Sequence, residues 1–251
     1  MLRLFKIILA SILIFLFSAN SVATEPPVVI NDNSQLMVER EPVSLSRHES
    51  RAREAAVKVA APDGSGYGSG TYSTISGKHV VLTAAHVIRD NPFMVVLGRF
   101  GEVVFGEVAY VDPANDFAVL VIPELQSRTA VPFRPSRKSL ESLIGVRVHY
   151  TGFPNSHDLF SVRGYVSGIE EGNRNALLIN GYAWMGASGS GIFDSNGNFI
   201  GTLVAVDIGT WRNPQIVETV VWASPVANFN IKAIEEHIRL YRVEIPEYRD
   251  K

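Results

Sequence analysis

Residues 68–88 read GSGTYSTISGKHVVLTAAHVI, two short strand-like runs on either side of a glycine turn. Similar apolar runs, each bounded by Gly, Pro, Asn or Asp, recur from about residue 55 to residue 225. This spacing is typical of a β-sandwich or a β-barrel. Several runs lie too close together for a crossover helix, which argues against a parallel sheet. We therefore expect an all-β fold.

Two other segments lack this pattern of short strand-like runs. Near the C-terminus, Ile231, Ile234 and Ile238 recur at helical spacing and predict a helix at about 226–241. Residues 24–52 are polar and proline-marked without a sustained period, which indicates a linker or a loosely packed arm.

The first 23 residues have the features of a secretory signal peptide. Arg3 and Lys6 precede an apolar run over residues 7–17, and Ser-Val-Ala at 21–23 offers the small residues that signal peptidase reads. The run is shorter than the roughly 20 residues that span a bilayer. We expect cleavage after Ala23 and export to the periplasm or the medium. The alternative is a membrane anchor formed by residues 7–17, which is the only membrane association we expect.

Composition excludes several classes of protein. The net charge is −2, and removal of Arg3 and Lys6 with the signal peptide makes it −4, so we expect no nucleic-acid partner. The chain has no cysteine, so its core and not disulfides must hold it. No metal-ligand cluster is recognisable, and we expect neither a metal nor another cofactor.

A glycine-rich stretch, GYAWMGASGSGIFD at 181–194, holds two serines before a strand-like run. A serine hydroxyl becomes a nucleophile only with a base in reach, an acid that orients the base, and N–H groups for the oxyanion. Glycines let the backbone turn sharply and bring amides close to a substrate. The stretch is therefore a candidate nucleophile loop, with an ordinary Gly/Ser turn as the alternative.

A base and an acid can also be proposed. Among six histidines, His86 alone follows a buried-strand pattern and sits beside the small residues 83–85; a structural core histidine is the alternative. Asp116 directly precedes the run FAVLVI, where a buried carboxylate needs a partner such as an imidazole N–H. Asp112 begins an Asp-Pro turn and is read as a turn residue.

In order, spacing and flanks, LTAAHV, NDFAVL and GASGSG resemble the His–Asp–Ser series of the trypsin-like serine endopeptidases. More narrowly, residues 55–240 are similar to the protease domain of HtrA-type bacterial proteases. Most proteases of that type continue into a PDZ domain, which we do not expect in this sequence. The resemblance implies a protease domain at 53–245. It would contain two six-stranded antiparallel β-barrels, at about 53–130 and 131–225, and the short C-terminal helix.

The resemblance also implies roles for individual residues. His86 would be the general base and acid, and Asp116 would fix its tautomer. The Gly-x-Ser-Gly pattern at 186–189 selects Ser188 as the nucleophile, with the backbone N–H groups of Gly186 and Ser188 as the oxyanion hole. Ser190 is read as a loop residue. Ala187 replaces the aspartate of digestive proteases, which argues against activation by a newly cut N-terminus.

The expected substrate pocket is lined by Tyr182, Leu203, Val204 and Ala205. Tyr182 stands where a carboxylate would select Arg or Lys, and Leu203 where glutamyl endopeptidases have a histidine. We therefore expect small or medium apolar residues before the scissile bond. Asp207 is read as a solvent-facing loop-end residue, with an inward orientation as the alternative.

The sequence predicts an exported serine endopeptidase that acts on protein or peptide substrates. One alternative is a secreted protease nearer the glutamyl endopeptidases. Another is a catalytically silent pseudoprotease that uses the barrels as a protein-binding module.

Overall fold

The computed structural model of the protein describes residues 44–210 and 213–242. Strands dominate them, as the β-branched and aromatic runs require. The α-helices are α1 (Arg47–Ala55), α2 (Ala85–Ile88) and α3 (Ile231–Leu240). The strands are β1 (Ala56–Ala60), β2 (Tyr67–Ile75), β3 (Lys78–Thr83), β4 (Phe93–Leu97), β5 (Val103–Asp112), β6 (Phe117–Val121), β7 (Val131–Pro132), β8 (Arg147–Gly152), β9 (Phe160–Glu170), β10 (Ala176–Asn180), β11 (Gly191–Asp194), β12 (Phe199–Gly209) and β13 (Gln215–Pro225).

The strands close into two antiparallel barrels. The first runs β1-β4-β5-β6-β3-β2 and closes through the pairing of β1 with β2, while the short β7 adds to β2 in parallel. The second runs β10-β13-β12-β11-β8-β9 and is closed. The prediction of two six-stranded antiparallel barrels with a short C-terminal helix is confirmed.

Strands β3 and β6 of the first barrel are covered on both faces. Residues of one face, such as Val81 and Leu120, fill the barrel interior. Residues of the other face, such as Leu82 and Val119, join a second cluster that includes α3 and two aromatic residues of the second barrel, Phe193 and Phe199. Because both faces are covered, the runs VVLT and FAVLV are apolar at nearly every position and not at alternate ones.

The C-terminal helix begins later than the sequence suggested. Residues 226–228 form a separate 3₁₀ turn, and α3 begins at Ile231. The side chain of Asn230 accepts a hydrogen bond from the Ala233 N–H, which is the geometry of a helix N-cap. The two buried isoleucines of the predicted helical face, Ile234 and Ile238, pack into the cluster on the outer face of β6.

The predicted polar arm ends inside α1. Ser46 caps this helix, and a reciprocal pair of hydrogen bonds with Glu49 forms a capping box that the sequence analysis did not pick out. Arg163 on β9 holds Glu49 in a bidentate ion pair, and Arg53 donates hydrogen bonds to Leu159 O and Ser161 Oγ, both at 3.0 Å. Helix α1 is thereby attached to the second barrel.

The predicted signal peptide and the first part of the arm, residues 24–43, lie outside the described residues. No helix in the described ranges has both the length and the apolar character that crossing a membrane requires.

Candidate active site

Antiparallel pairing brings His86 and Asp116 together. The end of β3 lies beside the start of β6, with Thr83 opposite Ala118. His86 follows β3 in the one-turn helix α2, and Asp116 immediately precedes β6 with a left-handed φ of 48°. A positive φ is uncommon for an aspartate and marks a position that its surroundings hold in place.

The two side chains are joined directly. Asp116 Oδ2 lies 2.7 Å from His86 Nδ1, and Asp116 Oδ1 accepts the backbone N–H of His86 at 2.8 Å. Both carboxylate oxygens therefore hold one residue, which fixes the ring as well as the backbone. The histidine side chain is 46% exposed and the aspartate 24%, so the imidazole reaches solvent while its partner is sheltered.

Electrostatics decides the tautomer of this pair. Burial raises the pKa of Asp116. Hydrogen bonds from the His86 ring and backbone and the nearby charge of Arg174 lower this pKa by more than burial raises it. The pKa of Asp116 therefore lies below its usual value. An ionised carboxylate only accepts hydrogen bonds, so His86 Nδ1 carries the proton. In the neutral imidazole Nε2 is then unprotonated and can take a proton.

The serine loop is shaped by its glycines. Gly186 and Gly189 have φ values of +96° and +89°, conformations that residues with a side chain rarely adopt. A side chain at Gly189 would also collide with Ser69 O and Thr83 Oγ1. The loop is fixed to the following strand, since Gly189 N–H donates to Leu203 O at 2.8 Å.

The two serines of the loop have different environments. Ser188 is half-buried, whereas Ser190 is fully buried and its hydroxyl has no hydrogen-bond partner among the described residues. Within the same residues, no hydrogen bond joins the Ser188 hydroxyl to His86. Hydrogen bonds between catalytic groups are often long before substrate binds. Exposure therefore favours Ser188 over Ser190 as the residue that meets a substrate.

The loop packs against the segment that carries His86. Ser188 O accepts the Ser69 N–H at 2.7 Å, and a Cβ at Gly68 would meet both Ser188 O and the Val87 side chain within 2.9 Å. Gly189 likewise approaches Thr83 and Ala84 at the end of β3. The histidine and the serine therefore lie on adjoining segments of the two barrels.

Two backbone donors of the loop are unused. Within the part of the chain that the structure describes, the N–H groups of Gly186 and Ser188 make no hydrogen bond. Neighbouring donors are occupied: Ala187 N–H donates to Trp184 O at 3.0 Å and Gly189 N–H to Leu203 O. Free N–H groups beside a serine hydroxyl are what an oxyanion hole requires.

The residues expected to line the pocket have varied exposures. Leu203 is 1% exposed, Val204 and Ala205 are half-buried, and Tyr182 is exposed. The Tyr182 ring packs against Phe160 with centroids 5.5 Å apart, and its carbonyl accepts the Tyr150 hydroxyl. Leu203 packs in the barrel core, so Val204 and Ala205 are the more accessible of the three expected pocket residues on β12.

Sequence analysis missed a row of hydroxyl groups on β2 that faces the serine loop and its surroundings. Side chains alternate along a strand, so residues 67, 69, 71 and 73 share one face. The alternation of Tyr, Ser, Thr and Ser at these positions was readable in YGSGTYST, but a polar row usually indicates a face exposed to solvent. Here Ser69, Thr71 and Ser73 are buried.

Comparison with known proteins identifies the class. The model of the trypsin-like peptidase domain family matches residues 68–201, more than half of the chain, and the matched segment holds His86, Asp116 and Ser188. The chain belongs to this family and is thus a serine endopeptidase by class. A search of the curated proteins gives no match.

Two solved structures are similar in fold. The serine endoprotease from Yersinia pestis superposes with a TM-score of 0.60 at 24% identity, over 80% of this chain and 70% of that one. Rv3671c from M. tuberculosis H37Rv, an inactive serine-to-alanine mutant, superposes with a TM-score of 0.59 at 16% identity, over 78% of this chain and 93% of that one. Identities this low show the common two-barrel fold.

Proposed function

We propose that this protein is an exported serine endopeptidase whose catalytic residues are His86, Asp116 and Ser188. The single observation that carries the proposal is the 2.7 Å contact of His86 Nδ1 with Asp116 Oδ2, beside a glycine loop that leaves Ser188 accessible. Family membership gives the reaction class, and these contacts support the proposed roles of the three residues.

The proposed chemistry follows from the tautomer. Ser188 Oγ attacks the carbonyl carbon of the scissile peptide while its proton passes to His86 Nε2. The C–N bond then breaks, and the same proton goes to the leaving amine. Water, deprotonated by Nε2, then attacks the acyl-serine; the bond between the acyl carbon and Ser188 Oγ breaks, Nε2 returns the proton to Oγ, and the new carboxylate leaves. Asp116 stays ionised throughout and stabilises the imidazolium.

The unused backbone donors complete the mechanism. When the carbonyl carbon becomes tetrahedral, its oxygen gains negative charge, and the N–H groups of Gly186 and Ser188, which make no hydrogen bond within the described residues, donate hydrogen bonds to this oxyanion. Removal of one such donor in enzymes of this kind costs on the order of 10²–10³ in kcat.

Covalent labelling tests the assignment. The protein from Thr24 onward is treated with a fluorophosphonate probe beside Ser188→Ala, Ser190→Ala and His86→Ala. We expect labelling of the wild type and of Ser190→Ala, and none of the other two variants. Retained labelling of Ser188→Ala would contradict the choice of nucleophile. A folded wild type that neither labels nor cleaves peptides would favour the binding-module alternative.

For specificity, we propose that small or medium apolar residues precede the scissile bond. Val204 and Ala205 are half-buried apolar residues of β12, and neither a carboxylate nor a histidine stands at position 182 or 203. A peptide library that varies only this position should be cleaved best at Val, Ala or Leu. Preferred cleavage after Glu would contradict this and favour the glutamyl-endopeptidase alternative.

Export is proposed from the sequence of residues 1–23. Mass spectrometry of the protein recovered from a secreting bacterial host should give a chain that begins at Thr24. A chain that keeps residues 7–17 and sediments with membranes would instead support the anchored form.

A further inference from the structure

The serine loop contains a turn whose type decides where one oxyanion donor points. Ala187 N–H donates to Trp184 O at 3.0 Å, and the third residue of this turn, Gly186, has φ +96°. A positive φ at that position is the signature of a type II turn. In a type I turn the central peptide, between Met185 and Gly186, is turned over. The Gly186 N–H therefore points in opposite directions in the two types of turn.

One contact outside the loop fixes this central peptide. Met185 O accepts the Asn155 N–H at 2.7 Å. Because the C=O and N–H of a trans peptide point in opposite directions, the Gly186 N–H is directed away from Asn155. Loss of the Asn155 contact would free the peptide to turn over and put a carbonyl oxygen where the oxyanion needs a donor.

Tyr67 holds the segment that supplies this contact. Asn155 and Ser156 have φ values of +50° and +61°, so their turn is strained and needs support. The Tyr67 hydroxyl accepts the Ser156 N–H at 2.5 Å and shares a hydrogen bond with Ser156 Oγ at 2.9 Å. The Tyr67 ring also lies against Gly186, where an added Cβ would meet it at 2.6 Å.

Ser69, two residues further along the same face of β2, fixes the next peptide of the loop. Its buried hydroxyl donates to Gly186 O at 2.7 Å and accepts the Phe153 N–H at 2.9 Å. Its backbone N–H donates to Ser188 O. Tyr67 and Ser69 therefore act on the two peptides that flank Gly186, one through the Asn155 turn and one directly.

We infer that Tyr67 and Ser69 are positioning residues that keep the loop in its type II turn and so keep the Gly186 N–H directed at the substrate carbonyl. This inference rests on the proposed function, since it assigns the Gly186 N–H to the oxyanion. It concerns residues of the first barrel that act through Gly186 and do not touch the reacting atoms.

Matched variants on the same elements test the inference. Tyr67→Phe removes only a hydroxyl, and its control is Tyr165→Phe, an exposed tyrosine on β9. Ser69→Ala is compared with Ser73→Ala, another buried serine of β2, whose hydroxyl donates to Val131 O at 2.7 Å. Each variant is assayed with a fluorogenic peptide carrying valine before the scissile bond, and its unfolding temperature is measured.

We expect kcat to fall about tenfold in Tyr67→Phe and about a hundredfold in Ser69→Ala, with KM changed less than about threefold, because the donor acts on the transition state. The two controls should keep the wild-type kcat. A purely structural role would instead lower the unfolding temperature without this separation of kcat from KM. Equal kcat in Tyr67→Phe and Tyr165→Phe would overturn the inference and leave the proposed function standing.

Amide hydrogen exchange gives a readout that needs no activity. In Tyr67→Phe, but not in Tyr165→Phe, the Asn155 and Ser156 amides should exchange faster. If the wild type neither cleaves the peptide nor reacts with fluorophosphonate, the proposed function fails. The exchange rates then decide by themselves: unchanged rates overturn the inference, and faster rates support the orienting contact of Tyr67.

Discussion

The two halves of the proposed catalytic site are held in different ways. In the first barrel, His86 and Asp116 bind each other side chain to side chain, and both lie at the ends of adjacent buried strands. In the second barrel, the serine loop is held almost entirely through its main chain, by groups that belong to other segments. The first half is held mainly by its own hydrogen bonds, with a smaller contribution from the charge of Arg174, whereas the second half depends on its neighbours.

The difference teaches where substitutions should act. Changes to the His86–Asp116 pair should abolish chemistry while leaving the barrel intact, since the histidine is half exposed. Changes at the serine loop should affect stability and rate together, because its backbone fits closely against β2 and the end of β3. Three predictions test this contrast, beginning with the largest expected effect.

Asp116→Asn should lower kcat by about 10⁴-fold, as loss of the orienting carboxylate does in the Ser-His-Asp template. The amide can donate to Nδ1, which then loses its proton, so the proton moves to Nε2 and the base is blocked. The unfolding temperature should change by less than about 3 °C, since the Asn oxygen can still accept the His86 N–H. Steady-state kinetics and thermal unfolding check both parts.

The matched control for this change is Asp112→Asn. Asp112 lies at the end of β5, and its carboxylate accepts hydrogen bonds from the Asn115 N–H at 3.1 Å and side chain at 2.7 Å. We expect a small loss of stability and a kcat within about threefold of wild type. If Asp112→Asn lowered kcat as far as Asp116→Asn, the activity would depend on residues beyond the His86–Asp116 pair. The first half of the site would then depend on its neighbours as the second half does.

Gly189→Ala should damage stability and rate together. Left-handed φ costs a side-chain residue roughly 1–2 kcal/mol, and an added Cβ would lie 2.1 Å from Ser69 O and 2.3 Å from Thr83 Oγ1. Crowding of this kind costs about 1–3 kcal/mol more. We expect the free energy of unfolding to fall by about 2–5 kcal/mol and kcat to fall at least about tenfold.

Gly77→Ala separates the two causes. Gly77 has φ +79° in the turn between β2 and β3, but a Cβ there would meet nothing within 4 Å. It should cost about 1–2 kcal/mol of stability and leave kcat unchanged. Urea unfolding and peptide hydrolysis measure both variants. Equal losses of stability and of kcat in the two variants would show that crowding against β2 contributes nothing. The conclusion that the serine loop depends on neighbouring segments would then be wrong.

The sequence was most informative where contacts are local or follow a repeating pattern. The runs before His86 and after Asp116 predicted buried strands. These strands, β3 and β6, are antiparallel neighbours, so the end of β3 and the start of β6 lie side by side and bring His86 and Asp116 together. The isoleucines at 231, 234 and 238 predicted the C-terminal helix but not its start. A helical period locates a face, whereas the first residue depends on a cap such as Asn230.

Contacts between distant segments were not predictable in the same way. Tyr67 and Ser156 are 89 residues apart, and Ser69 and Gly186 are 117 apart. Nothing in a local pattern says which loop a hydroxyl on β2 will meet. The capping box at Ser46 is a different case, because its signal is local and the polar composition around it concealed it.

The smallest effect is expected at α1, far from the chemistry. The hydrogen bond from Arg163 is the main cause that lowers the pKa of Glu49 from 4.5 to about 2. A depressed carboxyl pKa stabilises the folded state above the ordinary pKa and loses that effect as pH falls through the folded one. After allowance for the half-exposed Arg163, this should amount to about 1–3 kcal/mol, lost between roughly pH 5 and pH 2.

Glu49→Gln should therefore be less stable than wild type at pH 7 by about that amount, and the difference should shrink as pH approaches 2. Urea unfolding at a series of pH values measures this, with the exposed Glu171→Gln as the control. Within the described residues, no hydrogen bond or ion pair joins α1 to His86 or to the serine loop, so kcat at pH 7 should stay within about twofold. A constant stability difference at every pH would mean that packing of α1, and not the ionised pair, holds the helix. A large fall in kcat would mean that the serine half of the site depends on neighbours even more distant than β2.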